Sequence, residues 1–188
     1  MSQIHYFLDI DGLLADFVQG CCSLHFKEIP DPWPSLCYRL DEALDIEPID
    51  FWKNIDEDFW ATLPVHDEAY KIIDCVLRQT KGNYGRITLL TSLPSVVDNN
   101  KEHDPPAAAG KVRWLNLNFP VFKYSLTTCK SDHAHANAIL IDDSDTEIRK
   151  FRSNGGEGVL VPRPWNSLRS KRKDSVAWVG KQLESIVL

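Results

Sequence analysis

An apolar strand that ends in two closely spaced carboxylates constrains this chain most. In Tyr6-Phe7-Leu8-Asp9-Ile10-Asp11-Gly12 the apolar run stops at Asp9 and Asp11, with a glycine to break the strand. Leu13, Leu14, Phe17 and Val18 then begin a helical pattern. A buried strand of this kind delivers its acids to the carboxyl edge of a sheet, and open α/β sheets bind ligands outside that edge. The other segments are read for what completes a site around Asp9 and Asp11.

Residues 4–8 read as the first strand. Residues 28–36 carry three prolines and cannot form a helix interior or a central strand. Short segments follow: Tyr38–Leu44 looks helical, Asp50–Asp56 is a short piece, and Phe59–Pro64 reads as an aromatic loop. From Asp67 the spacing of Ala69, Ile72, Ile73, Val76 and Leu77 predicts a helix. Further strands are expected at 86–90, ending in Thr91-Ser92, at 119–124, at 138–141, ending in Asp142-Asp143, and at 158–162. The polar stretch 95–109 reads as a loop, and a helix runs from about Ala107 through Lys111, Trp114 and Leu115. Glu147–Arg152 predicts a short helix ending at Gly155-Gly156. Ser175–Ile186 predicts an amphipathic one, with Val176, Val179, Leu183 and Ile186 inward. Strands alternating with helices point to a parallel sheet covered on both faces. The expected fold class is α/β, with a core of residues 1–16 and 65–188 and a small helical insertion over about 17–64.

In a parallel sheet the ends of the first, second and fourth strands share one edge. Asp9, Asp11, Asp142 and Asp143 then crowd one crevice with the hydroxyls of Thr91 and Ser92. Carboxylates so placed repel one another unless a cation sits among them. Hard oxygen ligands suit Mg²⁺, which also binds phosphate. A carboxylate can attack phosphorus and form an aspartyl-phosphate. A second can protonate the leaving oxygen and later activate water. The developing charge needs donors, among them a hydroxyl and a lysine.

These stretches resemble the haloacid dehalogenase (HAD) superfamily of phosphatases, whose motifs I, II and IV the three strand ends match. More narrowly, Asp9-Ile10-Asp11-Gly12-Leu13-Leu14-Ala15-Asp16-Phe17 is similar to the start of the 5'(3')-deoxyribonucleotidases. Leu90-Thr91-Ser92-Leu93-Pro94 resembles their motif II, and Lys111-Val112-Arg113-Trp114-Leu115 the helix after it. Thr127-Thr128-Cys129-Lys130 resembles motif III, and Leu140-Ile141-Asp142-Asp143-Ser144-Asp145 motif IV. The resemblance spans about residues 6–146. It implies a Rossmann-like core with a helical cap inserted after motif I, and a Mg²⁺-dependent phosphomonoesterase. Asp9 would be the nucleophile and Asp11 the general acid/base. Thr91, with Ser92 beside it, would bind the phosphoryl group, and Lys130 would neutralise its charge and pair with an acid of motif IV. Asp9, the backbone carbonyl of Asp11 and one of Asp142 or Asp143 would hold Mg²⁺. Asp143 is the preferred ligand and Asp142 the preferred partner of Lys130. Phe17 would lie against a base. Among the insertion's aromatics (Trp33, Phe51, Trp52, Phe59, Trp60), one or two are expected to line the pocket, with Trp52 and Trp60 chosen as substrate contacts. The implied substrate is a (deoxy)nucleoside monophosphate. Another small ester such as a sugar phosphate, or a non-catalytic module that binds a phosphorylated ligand, remains open. Residues 28–36 and 131–138 depart from the family's pattern.

An isolated Asp-x-Asp-Gly also marks turns and calcium loops, but the twelfth loop position is Gly20, not the glutamate such a loop needs. Lys111, beside Arg113, reads as part of a solvated face, and Lys130 is preferred for the phosphate. His133 and His135 read as solvated. Thr62, Asp16 and Asp145 read as capping or loop residues, and Arg169–Lys173 as an exposed loop. Pro162-Arg163-Pro164-Trp165-Asn166 is expected near the rim of the site, without an evident role. A net charge of −6 argues against a nucleic-acid partner. No apolar run approaches the roughly 20 residues of a membrane span, and no basic region precedes an apolar stretch as in a signal peptide. Five cysteines without a CxxC pair suggest a reduced, cytoplasmic protein, as a monomer or homodimer.

Overall fold

The computed structural model describes residues 3–34, 38–93 and 105–187. Cys37, Pro94 and the polar stretch 95–104 fall outside them. Five strands, β1 (His5–Leu8), β2 (Ile87–Ser92), β3 (Lys123–Thr127), β4 (Ala138–Asp142) and β5 (Glu157–Leu160), form one parallel sheet in the order β3-β2-β1-β4-β5. The chain builds outward from β1 in one direction, then returns to build in the other. The reversal falls between β1 and β4, where such sheets open a crevice.

Both faces of the sheet are covered. Tyr6 and Leu8 pack with Ile87, Leu89, Ile139 and Ile141 on one side. Phe7 packs with Leu90, Leu140, Ile148 and Phe151 on the other. Alternating residues of one strand thus serve two cores, which is why the strands read as continuous apolar runs.

Helices α1 (Phe17–Leu24), α2 (Leu40–Ala43), α3 (Pro48–Trp52) and α4 (Glu57–Ala61) all lie between β1 and α5 (Ala69–Thr80). Asp16 starts α1 by accepting from the Gln19 N–H at 2.9 Å. Phe59–Pro64, expected as a loop, instead begins inside α4. Asp56 caps this helix, accepting from the Phe59 N–H at 2.9 Å, and Glu57 and Asp58 suit its positive end. Thr62 closes it by donating to the Asp58 carbonyl. The insert leaves and re-enters the core at one place, because Asp16 N–H donates to Pro64 O and His66 N–H to Leu14 O.

Helix α6 (Pro105–Asn118) begins earlier than expected, with prolines in its first turn, where their missing N–H costs nothing. Residues 105–109 are therefore helix and not loop. The helix also ends later, so β3 starts at Lys123 instead of 119. Phe119 and Phe122, buried, anchor the turn between them. The edge position of β3 explains its polar composition, which hid it. Helix α7 (Asp145–Ser153) is capped by the Ser144 hydroxyl. Helix α8 (Ser175–Val187) buries Val179 and Leu183 as its spacing predicts. The basic run lies in an exposed 3-10 turn, Arg169–Asp174.

The insert meets the core where α4 crosses α6 at Gly110. A Cβ there would collide with the Glu57 carbonyl oxygen and the Trp60 Cβ. Gly110→Ala is expected to cost about 1–3 kcal/mol through forced separation of the helices, read as a lower urea midpoint. An unchanged midpoint would mean that the crossing is loose.

Candidate active site

The register of β1 with β4 pairs Leu8 with Ile141, so Asp9 and Asp142 emerge side by side. The Asp9 N–H donates to the Ile141 carbonyl at 2.9 Å, and the chain then folds back on itself. Leu14 and Ala15 N–H both donate to the Ile10 carbonyl at 2.8 Å. Gly12 takes φ +78°, and a Cβ on it would collide with Asp143 Oδ2. Only glycine meets both the backbone and the space requirement here.

Two buried lysines divide the carboxylates. Lys130 sits in a 3-10 turn (Lys130–His133) after β3 and is 4% exposed. Its Nζ lies 2.6 Å from Asp9 Oδ1 and 2.7 Å from Asp142 Oδ2. Asp142 Oδ1 accepts from the Ser144 N–H at 2.8 Å. Lys111, only 2% exposed, belongs to α6. Its Nζ donates to Asp11 Oδ2, to Thr91 Oγ1 at 3.0 Å and to the Ser92 carbonyl at 2.8 Å. The expectation of a solvated Lys111 is therefore corrected. It lies on the helix face shared by Ala107, Trp114 and Leu115, all buried, and spacings of three and four residues carried that signal. Its ammonium also lies 4.5 Å from the centre of the Trp60 ring.

The fifth strand end contributes the segment whose role was not evident. The Trp165 indole N–H donates to Asp143 Oδ2 at 2.8 Å. Asn166 Nδ2 donates to the Asp143 carbonyl at 2.9 Å. Arg163 Nε donates to the Gly12 carbonyl at 2.9 Å, and its Nη1 pairs with Glu68. All three side chains are buried. Position held the clue: the segment follows a strand, so it returns to the same sheet edge.

Asp9, Asp11, Thr91, Ser92, Lys130, Asp142 and Asp143 are thus brought together. Phe17 and Trp60 stack at 5.1 Å between ring centres, 13° from parallel, with Phe59 edge-on to both. Trp52 stands apart from this group, 41% exposed and edge-on to Phe51. His133 packs on Phe7 and His135 is exposed. Asp145, at the start of α7, accepts from Ser167 N–H and hydroxyl.

Oxygens of Asp9, Asp142 and Asp143 converge within 4.8 Å, all three residues buried. Burial, with Asp142 next in effect, pushes the Asp143 carboxyl up to about 7. Burial raises Asp9 as well, against the pull of Lys130. For Lys130 burial alone would depress the ammonium, but Asp142 and Asp9 outweigh it and raise it. With all groups ionised, four carboxylates face two ammoniums, so two negative charges stay uncompensated. A divalent cation fits that deficit and the oxygen donor set. Asp9, Asp142 and Asp143 could hold such an ion, with Asp142 also engaged by Lys130 and the Ser144 N–H.

Lys130→Met is expected to lower stability by about 3–5 kcal/mol, because both partners stay buried and unpaired. Denaturant titration checks it, and a near-neutral effect would refute the bridging role. Asp143 binds its proton more readily folded than unfolded, so the stability this adds is present below its ordinary value of 3.8 and is lost as pH rises through about 7. The metal-free protein should melt lower at about pH 8 than at about pH 5.5, and Mg²⁺ should restore the difference. Asp143→Asn should flatten this dependence, and a profile unchanged by that substitution would contradict the assignment.

No protein-family model and no curated protein matches the chain. Solved structures do match it. A dehalogenase aligns over 86% of each chain at TM-score 0.50 and 12% identity. A HAD-superfamily hydrolase from Ehrlichia chaffeensis aligns over 98% of this chain and 99% of its own at TM-score 0.49 and 14% identity. An L-2-haloacid dehalogenase from Xanthobacter autotrophicus aligns over 97% and 88% at TM-score 0.48 and 12% identity. The likeness is one of fold: the chain has a Rossmann-like α/β fold, shared with the dehalogenase.

Proposed function

We propose that the chain is a Mg²⁺-dependent phosphomonoesterase that works through an aspartyl-phosphate on Asp9, with (deoxy)nucleoside monophosphates as substrates. One observation carries the reading: Asp9 and Asp11, two residues apart, are held by different lysines in different settings. Asp9 belongs to the cation-demanding cluster. Asp11 is anchored through Oδ2 by Lys111 and Thr91, while its buried Oδ1 has no partner among the described residues. One carboxylate is set for attack and the other for moving a proton.

Ile10 N–H and Lys130 both hold Asp9 Oδ1, which leaves Oδ2 as the attacking oxygen. As the new O–P bond forms, the bond from phosphorus to the leaving oxygen breaks, and Asp11 Oδ1 gives that oxygen its proton. In the second half, water attacks phosphorus and yields its proton to Asp11, phosphate leaves, and Asp9 is regenerated. Thr91, Lys111 and Lys130 supply fixed donors and positive charge for the phosphoryl oxygens. Bound Mg²⁺ would screen the repulsion between Asp9 and the phosphate. The helical segment 17–64 serves as a cap that excludes water; Phe17 and Trp60, stacked and buried within it, would meet a base only on opening of the cap.

Asp9→Asn should abolish turnover while leaving the melting temperature near that of the parent protein. A variant that keeps most of the activity would remove Asp9 as nucleophile. Lys111→Met should lower kcat/KM by about 100-fold or more, because it frees Asp11 and deletes a donor. A panel of monophosphates with Mg²⁺ tests the substrate class: preference for sugar phosphates over every nucleotide would overturn the nucleotidase reading. Binding without hydrolysis of any ester would overturn catalysis itself.

A further inference from the structure

The only polar atom of Trp165, its indole Nε1, is spent on Asp143 Oδ2 at 2.8 Å. Both groups are buried. The same ring is one wall of the space that Gly12 leaves open, since a Cβ on Gly12 would also come within 3.3 Å of it. Asn166 fixes the backbone beside both, donating to the carbonyls of Asp143 and Val161. The indole therefore cannot shift without moving the carboxylate or losing its bond.

The same ring also meets the insert. Trp33 packs against it at 5.2 Å between ring centres and Tyr38 at 5.0 Å. Both belong to the stretch between α1 and α2, within the insert. Tyr38 in turn reaches Phe17 at 6.2 Å. A chain of ring contacts thus runs from the insert to the carboxylate, through one residue of the core.

We propose that Trp165 is a positioning residue that holds Asp143 in its ligand orientation and ties that orientation to the seating of Trp33 and Tyr38. The proposal rests on the reading of Asp9 and Asp143 as cation ligands. With Oδ2 held by the indole, Oδ1 is the oxygen left for the ion. Outer partners of this kind fix the direction of a ligand carboxylate and so set metal affinity. When the insert seats its rings on Trp165, the indole N–H is held toward Asp143. When the insert withdraws, that constraint is released. The cation is then bound most tightly in the state in which the site is covered.

The test measures Mn²⁺ binding to the full-length protein by electron paramagnetic resonance, with no substrate present. Trp165→Phe keeps a ring and removes the donor; it should weaken binding about 10- to 100-fold. Trp33→Leu removes the ring contact with Trp165 and should weaken it about two- to tenfold. In the Trp165→Phe background, Trp33→Leu should have no further effect, because the path it acts through is gone. A purely structural tryptophan would lower the melting temperature and leave the affinity of the folded protein unchanged, which would overturn the positioning role. Additive effects of the two substitutions would overturn the coupling, as would no effect of Trp33→Leu alone. That arm still decides if Trp165→Phe fails to fold. A parent protein that binds no Mn²⁺ would refute the cation site itself and not the geometry of Trp165.

Discussion

Lys130 bridging Asp9 and Asp142 is the contact on which the site depends. Parallel pairing of β1 with β4 forces two acids to emerge side by side at the edge of the sheet. Buried like charges at that spacing are unfavourable. A single ammonium at 2.6 and 2.7 Å from the two carboxylates makes the arrangement tolerable. It does not make it neutral, because Asp143 adds another carboxylate and Lys130 has no second charge to give. The deficit is of the kind a cation would offset, and it follows from the strand register.

The second lysine works on the other side of the loop. Lys111 comes from α6, the helix against which the insert packs, and Trp60 of α4 lies under its ammonium. Placement of Asp11 is thus linked to the contact between insert and core. The insert is also clipped at its root by the Leu14–His66 and Asp16–Pro64 hydrogen bonds. The root of the insert is therefore fixed next to the turn that holds Gly12.

Much of this was legible in the residues. Three apolar runs ended in the right polar groups, and the rule that parallel strands share a carboxyl edge brought Asp9, Thr91 and Asp142 together without coordinates. Pairing of Lys130 with Asp142 agrees with the resemblance to motif III. Lys111 was misjudged because it neighbours the exposed Arg113, although its spacing from Trp114 and Leu115 placed it on the buried face. The β3 edge strand was displaced because its residues are polar, and α4 was hidden because its cap and acidic first turn precede the aromatics. Trp165 could not be assigned from pattern alone. Its role depends on β5 lying next to β4, and the order of strands within a sheet leaves no mark in local sequence.

The fifth strand end shows how the loop is held from behind as well. Arg163 links the Gly12 carbonyl to Glu68 at the start of α5, and Glu68 also accepts from the Ser175 hydroxyl at the start of α8. The Asp9–Gly12 turn is therefore fixed by two lysines in front and by an arginine and an indole behind. Each of these polar groups is buried, and burying them costs stability that an apolar core would not lose. A turn built only to connect β1 to α1 needs none of them. Of the four, Lys111 holds Asp11 and Trp165 holds Asp143, each through one carboxylate oxygen, while Lys130 holds Asp9 and Arg163 the Gly12 carbonyl, so every part of the loop has its own donor.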